Sequence, residues 1–221
     1  MIGSPSLPDA LLGLAVLLAS VIIHENAHGV AALALGDDTA RKAGRITLNP
    51  IRHLDIVGSV ILPLFLFLAG GPMFGYAKPV PVSPSKLRGT DRTGFALVAA
   101  AGPASNVILA FISVVVLKQL GFVFLDGGGF QPPANVGWLE RTFIFGFVLN
   151  LLIAAFNLLP IPPLDGSRFI RLFLSPQGRQ TLDRIEPFGF LILFALLFWL
   201  EEPLFRVVSW IEDGLLRLLP L

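Results

Sequence analysis

The sequence predicts an all-α polytopic membrane protein: a transmembrane helix bundle with a small cytoplasmic-side β element and a re-entrant segment. Hydrophobic residues fill 54% of the 221 positions and charged residues only 14%, against roughly 25% charged in a soluble domain; mean hydropathy is +0.78. The apolar residues gather into runs long enough to cross a hydrocarbon core of ~30 Å. The basic residues fall between those runs unevenly, with 12 of the 16 Lys and Arg in three connections, which the positive-inside rule assigns to the cytoplasm. A formal net charge of +1 argues against a nucleic-acid partner, and the absence of cysteine excludes disulfides and thiolate metal ligands. No internal repeat or soluble domain is evident. Residues 1–221 therefore read as one integral-membrane domain, with a core at 7–175 and short C-terminal helices within 187–219.

The first span is residues 7–35, apolar apart from Asp9, Ser20 and a polar cluster at 24–28, and about 43 Å long as a helix. The chain before it carries no Lys or Arg, and the run is too long for a signal-peptide core, so it reads as retained. Gly36-Asp37-Asp38 ends the helix, and Arg41, Lys42, Arg45 and Arg52 make the first basic connection. Within it, Gly44-Arg45-Ile46-Thr47-Leu48-Asn49-Pro50 alternates apolar and polar residues, the pattern of a short strand. Residues 56–71 are oily but short and broken by Pro63. Lys78, Lys86, Arg88 and Arg92 make their far flank as basic as the near one, which favours a membrane dip over a crossing.

Pro79 and Pro81 hold 76–82 extended and remove ladder donors, leaving an edge or an isolated strand. Residues 94–117 form the second crossing, with Gly102-Pro103-Ala104-Ser105-Asn106 in its first half. Asn106 is a buried amide, suited either to interhelical hydrogen bonding or to contact with substrate. A Gly/Pro-rich outer connection at 118–141 precedes the third crossing, 143–159. Pro160, Pro162 and Pro163 then stop the helix and free carbonyls at membrane depth, tolerated only beside a cavity or packed protein. Arg168, Arg171, Arg179 and Arg184 mark the cytoplasm again. Residues 187–200 span only about 21 Å as a helix, and 204–219 read as an interfacial amphipathic helix.

The chemistry concentrates in His24-Glu25-Asn26-Ala27-His28, which holds two of the three histidines in the chain. A charged group in a spanning helix costs ~2.5–3.5 kcal/mol on insertion scales, so such a cluster marks a functional site. A spacing of four stacks His24 and His28 on one helix face. Glu25, roughly 100° away, can reach a metal-bound water without ligating. This is the H-E-x-x-H division into two ligands and one general base. A catalytic zinc site needs a third protein ligand and an open position. Asp165 is the strongest candidate, because the first and third crossings both end inward and bring it to the depth of His28. His53 and Asp55 compete, but lie in a basic, polar loop and read as surface residues.

Together these segments resemble the site-2 protease family of intramembrane zinc metalloproteases. The match runs through His24-Glu25-Asn26-Ala27-His28 and through Asn157-Leu158-Leu159-Pro160-Ile161-Pro162-Pro163-Leu164-Asp165-Gly166, with the Gly44 and Gly102 motifs in support. The resemblance implies one Zn2+ per chain on His24, His28 and Asp165, with Glu25 as base and Asn157 positioning substrate or stabilising an oxyanion. It implies a short member without inserted PDZ or appended CBS domains; the expected setting is a bacterial cell membrane, with the active site on the cytoplasmic side that the basic connections mark. The partners it implies are a transmembrane protein substrate and the lipid bilayer; the oligomeric state is not readable from the sequence. The strand at 44–48, through Ile46 and Leu48, or the extended 76–82 segment would clamp an unwound substrate by strand addition. A metal-ion or proton transporter could use the same buried cluster, but would need charged relay residues towards the outer side, and the outer halves of these helices show none. A catalytically dead scaffold is disfavoured because no ligand or base is missing.

Overall fold

The computed structural model describes residues 7–55, 61, 78–88, 91–124, 130–189, 191–192 and 206–212. Three of its helices are long and apolar enough to cross a membrane: α1 (Leu7–Ala34), α3 (Asp91–Gln119) and α4 (Trp138–Leu158). Between and after them lie short helices α2 (Thr39–Lys42), α5 (Asp165–Ile170) and α6 (Pro176–Ile185). The three expected crossings are therefore present, within a few residues of their expected ends.

The chain packs α3 against both α4 and α1, with α5 resting on α3. One core cluster, built on Ala110, Val114, Leu117, Phe147, Leu151, Ala154 and Ala155, fills the α3–α4 seam. A second, Ala32, Leu87 and Val98, joins the C-terminal end of α1 to the start of α3. Alanine is frequent at these contacts because, between lipid-facing helices, close backbone approach is the main source of attraction. At the opposite end, Arg141 of α4 pairs with Asp9 of α1 at 2.5 Å.

The segment 78–88 is stitched along the C-terminal end of α1. Lys78 N–H donates to the His53 carbonyl, Arg88 N–H to the Leu35 carbonyl, and Ser83 N–H to the Asp37 carboxylate. Asp37, wholly buried, also accepts from the amide and hydroxyl of Thr39. Burial opposes its charge, but the Thr39 hydroxyl and the Ser83 and Thr39 amides outweigh that and hold the carboxyl below its ordinary value.

The expected β element is absent where the alternation pointed. Residues 44–48 are turn and bend, not strand, and the one strand pair among the described residues, Val123–Phe124 with Phe130–Gln131, lies in the connection between α3 and α4. Side chains occupy the groups that a ladder would use. Asn26 and His53 both donate to the Thr47 carbonyl, at 2.7 and 2.8 Å, and Ile46 is packed towards Gly29 of α1. The neighbouring extended segment cannot supply a ladder, since Pro79 and Pro81 lack N–H groups; Arg45 instead donates through Nη2 to the Lys78 and Pro79 carbonyls. His53, expected at the surface, is 2% exposed.

The dip expected at 56–71 lies outside the described residues except for Ile61, as does most of 187–219. Within the latter, residues 206–212 are helical, and Ile211 is buried in the α3–α4 core with Val207 and Val208 against it. Trp210 of the same stretch is 74% exposed, so its apolar residues divide between protein and the outer surface.

Candidate metal centre

His24 and His28 stand one turn apart on α1, ring edge to ring face with centroids 4.7 Å apart. Asp165 arrives from the far end of the chain as the first residue of α5, directly after the proline-rich segment that ends α4. Gly166 permits this turn: a Cβ there would collide with the carbonyl oxygens of Leu158 and Leu159, so only glycine lets α5 begin against the last turn of α4. Arg168, one turn on, lies with its guanidinium 5.2 Å from the Phe95 ring of α3, a cation–π contact that holds α5 in place. It also sits 3.9 Å from Asp165 Oδ1, leaving Oδ2 to face the imidazoles.

The three donor atoms converge. His24 Nε2 and His28 Nε2 are 3.1 Å apart, and Asp165 Oδ2 is 3.1 Å from the first and 3.2 Å from the second. A tetrahedral zinc site with bonds of ~2.0–2.1 Å separates its ligand atoms by about 3.4 Å, so these residues need only small adjustments to fit the ion. Proton positions strengthen the case. His28 Nδ1 lies 2.7 Å from the Val98 carbonyl, which can only accept, so that ring carries its proton on Nδ1. His24 Nδ1 lies 2.5 Å from Asn106 Oδ1, another acceptor. In the neutral rings both Nε2 atoms then turn lone pairs towards each other and towards a carboxylate oxygen. Three buried acceptors facing one another repel unless a cation sits among them.

Gly102 of α3 keeps that space open. A Cβ on it would lie 2.5 Å from His28 Cε1 and 2.6 Å from His24 Nε2. Among the described residues, His24, His28 and Asp165 are the one group of three metal-binding side chains so arranged.

The remaining candidates are dispersed. Glu25 is half-buried, and its Oε2 accepts from the Val80 N–H at 2.9 Å. Asn157, in the last turn of α4, donates to the Ile153 carbonyl of its own helix. Asn106 is fully buried, with its amide engaged by His24 and Asn150, so its place is behind a histidine and not on a substrate-facing surface. Ile46 is packed on α1, whereas Leu48 is 72% exposed. His53 and Asp55 are not part of the donor group. A cavity of about 500 Å3, lined by Arg45, Arg52, Lys78, Pro79 and Pro81 among others, adjoins the extended segment and includes none of the three donors.

Sequence reasoning missed four contributors: Gly102 as the gap beside both rings, the Val98 carbonyl, the Val80 amide and Asn150. Only Asn150 carried a side-chain signal, as an amide two turns before Asn157 in an otherwise apolar span. The Gly102 motif stood out, but the role of its glycine needed coordinates. The other two groups are main chain, which any residue supplies.

Comparison with known proteins bears on the same chemistry. The model of Peptidase family M50 matches residues 12–200. "Putative zinc metalloprotease YwhC" of Bacillus subtilis is 40% identical over 195 residues, covering 88% of this chain and 82% of its own. "Putative zinc metalloprotease Rip2" of Mycolicibacterium smegmatis is 32% identical over 205 residues, covering 92% of this chain and 73% of its own. No solved structure matches. Two-histidine-and-carboxylate chemistry between apolar helices and a family match over most of the chain lead to one assignment: the protein belongs to peptidase family M50, the site-2 protease family, and is a multi-pass membrane zinc metalloprotease.

Proposed function

We propose that this metalloprotease hydrolyses a peptide bond in or beside a transmembrane segment of a membrane-protein substrate, with one zinc ion on His24, His28 and Asp165 and with Glu25 as general base. The observation that carries the reading is the burial of three convergent acceptors between α1, the α4–α5 turn and Gly102 of α3. Bound zinc supplies a polarised carbonyl and a water whose pKa falls towards ~7. Glu25, steadied at Oε2 by the Val80 amide, takes the water proton through Oε1 and returns it to the leaving nitrogen. Asn157 has one amide hydrogen on its own helix, which leaves its oxygen and second hydrogen for the backbone of an extended substrate. Because residues 44–48 form no strand, Ile46 has no clamping role in this reading, and the exposed Leu48 is the substrate contact assigned to that segment. A helical substrate holds its carbonyls in hydrogen bonds and must unwind before any of these groups can engage it.

The orientation we infer puts the site towards the cytoplasm, the side on which Arg41, Lys42, Arg45, Arg168 and Arg171 collect. The native chain has no cysteine, so a single cysteine introduced near Arg52 or near Arg88 is labelled without background. Both should react only from the cytoplasmic side. The activity test is incubation of the zinc-loaded protein with a model substrate reconstituted in lipid and mass-spectrometric mapping of the products. A cut inside or at the edge of the apolar segment is the expected result. Cleavage confined to soluble peptides, with every membrane-embedded substrate left intact, would remove the intramembrane reading.

A further inference from the structure

We propose that Ser20 and Asn150 are positioning residues for His24, acting through Asn106 to fix which ring nitrogen carries the proton. The inference rests on the reading of His24 as a zinc ligand. The four side chains form one buried chain of hydrogen bonds that leaves α1, crosses α3 and α4, and returns to α1 one turn away. His24 Nδ1 meets Asn106 Oδ1 at 2.5 Å, Asn106 Nδ2 donates to Asn150 Oδ1 at 2.7 Å, and Asn150 Nδ2 donates to Ser20 Oγ at 2.9 Å. None of the four is more than 5% exposed.

The direction of the chain is set at its far end, by groups that can only accept. Asn150 Nδ2 donates to the Gly146 carbonyl at 2.7 Å, and the Ser20 hydroxyl donates to the Val16 carbonyl at 2.8 Å. The Gly146 carbonyl requires the NH2 of Asn150 on its side, so Asn150 turns its oxygen to Asn106. That oxygen requires the NH2 of Asn106, so Asn106 turns its own oxygen to His24. The imidazole must then carry its proton on Nδ1 and offer the Nε2 lone pair to the centre of the site. Reversing any member would set two oxygens or two N–H groups face to face in a buried interior. Two backbone carbonyls on α1 and α4 thus determine the tautomer of a ligand several side chains away. The effect follows the rule that a partner on the second ring nitrogen orients a metal-bound histidine, extended here by two further links.

The test uses the full chain, purified metal-free in lipid nanodiscs with nitrogen-15 in its histidines. At a pH where the ring is neutral, the nuclear magnetic resonance spectrum should show the His24 proton on Nδ1 before any zinc is added; a His24 ring without a proton on Nδ1 in the wild-type protein overturns the proposal without recourse to a variant. Asn150→Leu should convert His24 to a mixture of tautomers and weaken zinc binding, read by competition with a chelator, about 10- to 100-fold. Ser20→Ala should move both readouts less in the same direction, since the Gly146 carbonyl still holds Asn150. Ser113→Ala removes another buried hydroxyl bond on α3, beside Gly146 but outside the chain, and should leave both unchanged. Asn150→Leu with wild-type zinc affinity and an unaltered His24 tautomer would reduce Asn150 to interhelical packing and overturn the proposal. Wild-type protein that takes up no zinc would instead remove the metal reading on which it rests.

Discussion

Gly102→Ala adds one methyl group where the structure has least room for it. The new Cβ would lie 2.5 Å from His28 Cε1 and 2.6 Å from His24 Nε2, where ordinary contact begins at 3.4 Å. Either α3 retreats or both rings move by about 0.8–1.0 Å, whereas metal–ligand distances tolerate only about ±0.2 Å. Overpacking a filled site by a methylene costs about 1–3 kcal/mol. If that strain falls on the metal-bound arrangement, zinc binding weakens about 5- to 150-fold, at 1.4 kcal/mol per decade. Gly13→Ala is the matched control: also a glycine in a spanning helix, its Cβ would meet Phe145 at an ordinary 3.5 Å, so zinc affinity should not change. Both affinities are measured by chelator competition on protein in nanodiscs, with thermal unfolding recorded beside them. Gly102→Ala that binds zinc as tightly as the wild type would refute the argument that the Nε2 atoms and the ion share the space beneath this glycine.

Glu25→Gln should retain zinc and abolish cleavage of a reconstituted substrate, since the base is lost and the three ligands remain; zinc lost in step with activity would make Glu25 a ligand. Asp165→Ala should lose both, removing one ligand of three and leaving two lone pairs opposed, and metal analysis of the purified variant decides it. Asp37→Asn should destabilise the protein at pH 7. Because the folded pKa of Asp37 is depressed, its contribution is fully present above the unfolded value of about 3.9 and is lost as pH falls through the folded value. The gap between wild type and variant in unfolding midpoint should therefore narrow below about pH 4, and a gap that stays constant to pH 2 would mean that the Asp37 charge adds nothing.

The candidate metal donors were legible because the chemistry leaves few choices. Two imidazoles four apart on an apolar helix, and one carboxylate just after a proline-broken helix end, are costly in a membrane and so advertise themselves. The crossings were legible for the same reason, since backbone groups in lipid demand long helices. The strand at 44–48 was misread because alternation reports which side chains are buried, not what satisfies the backbone. Asn26, His53 and Arg45 do that work here. The amphipathic pattern of 204–219 placed that stretch at the membrane interface; in its described part, 206–212, Ile211 packs on protein while Trp210 stays exposed. Asn106 was recognised as a buried amide, but its direction depends on Gly146 and Val16, whose carbonyls carry no side-chain signature.

The steadying of Glu25 by a main-chain amide has a consequence for how this site tolerates substitution. Of residues 79–81, only Val80 has an N–H, and that hydrogen goes to the carboxylate. Every residue but one supplies the same hydrogen at position 80, so an alanine scan would pass over the contact, even though the Val80 side chain itself is buried towards Gly29. The exception is proline. Val80→Pro would make three in succession, silence the donor while keeping the chain extended, and free the carboxylate to swing; catalysis should then fall with zinc content intact. A carboxylate held in this way has its weak point in a single imino acid flanked by two others of its kind.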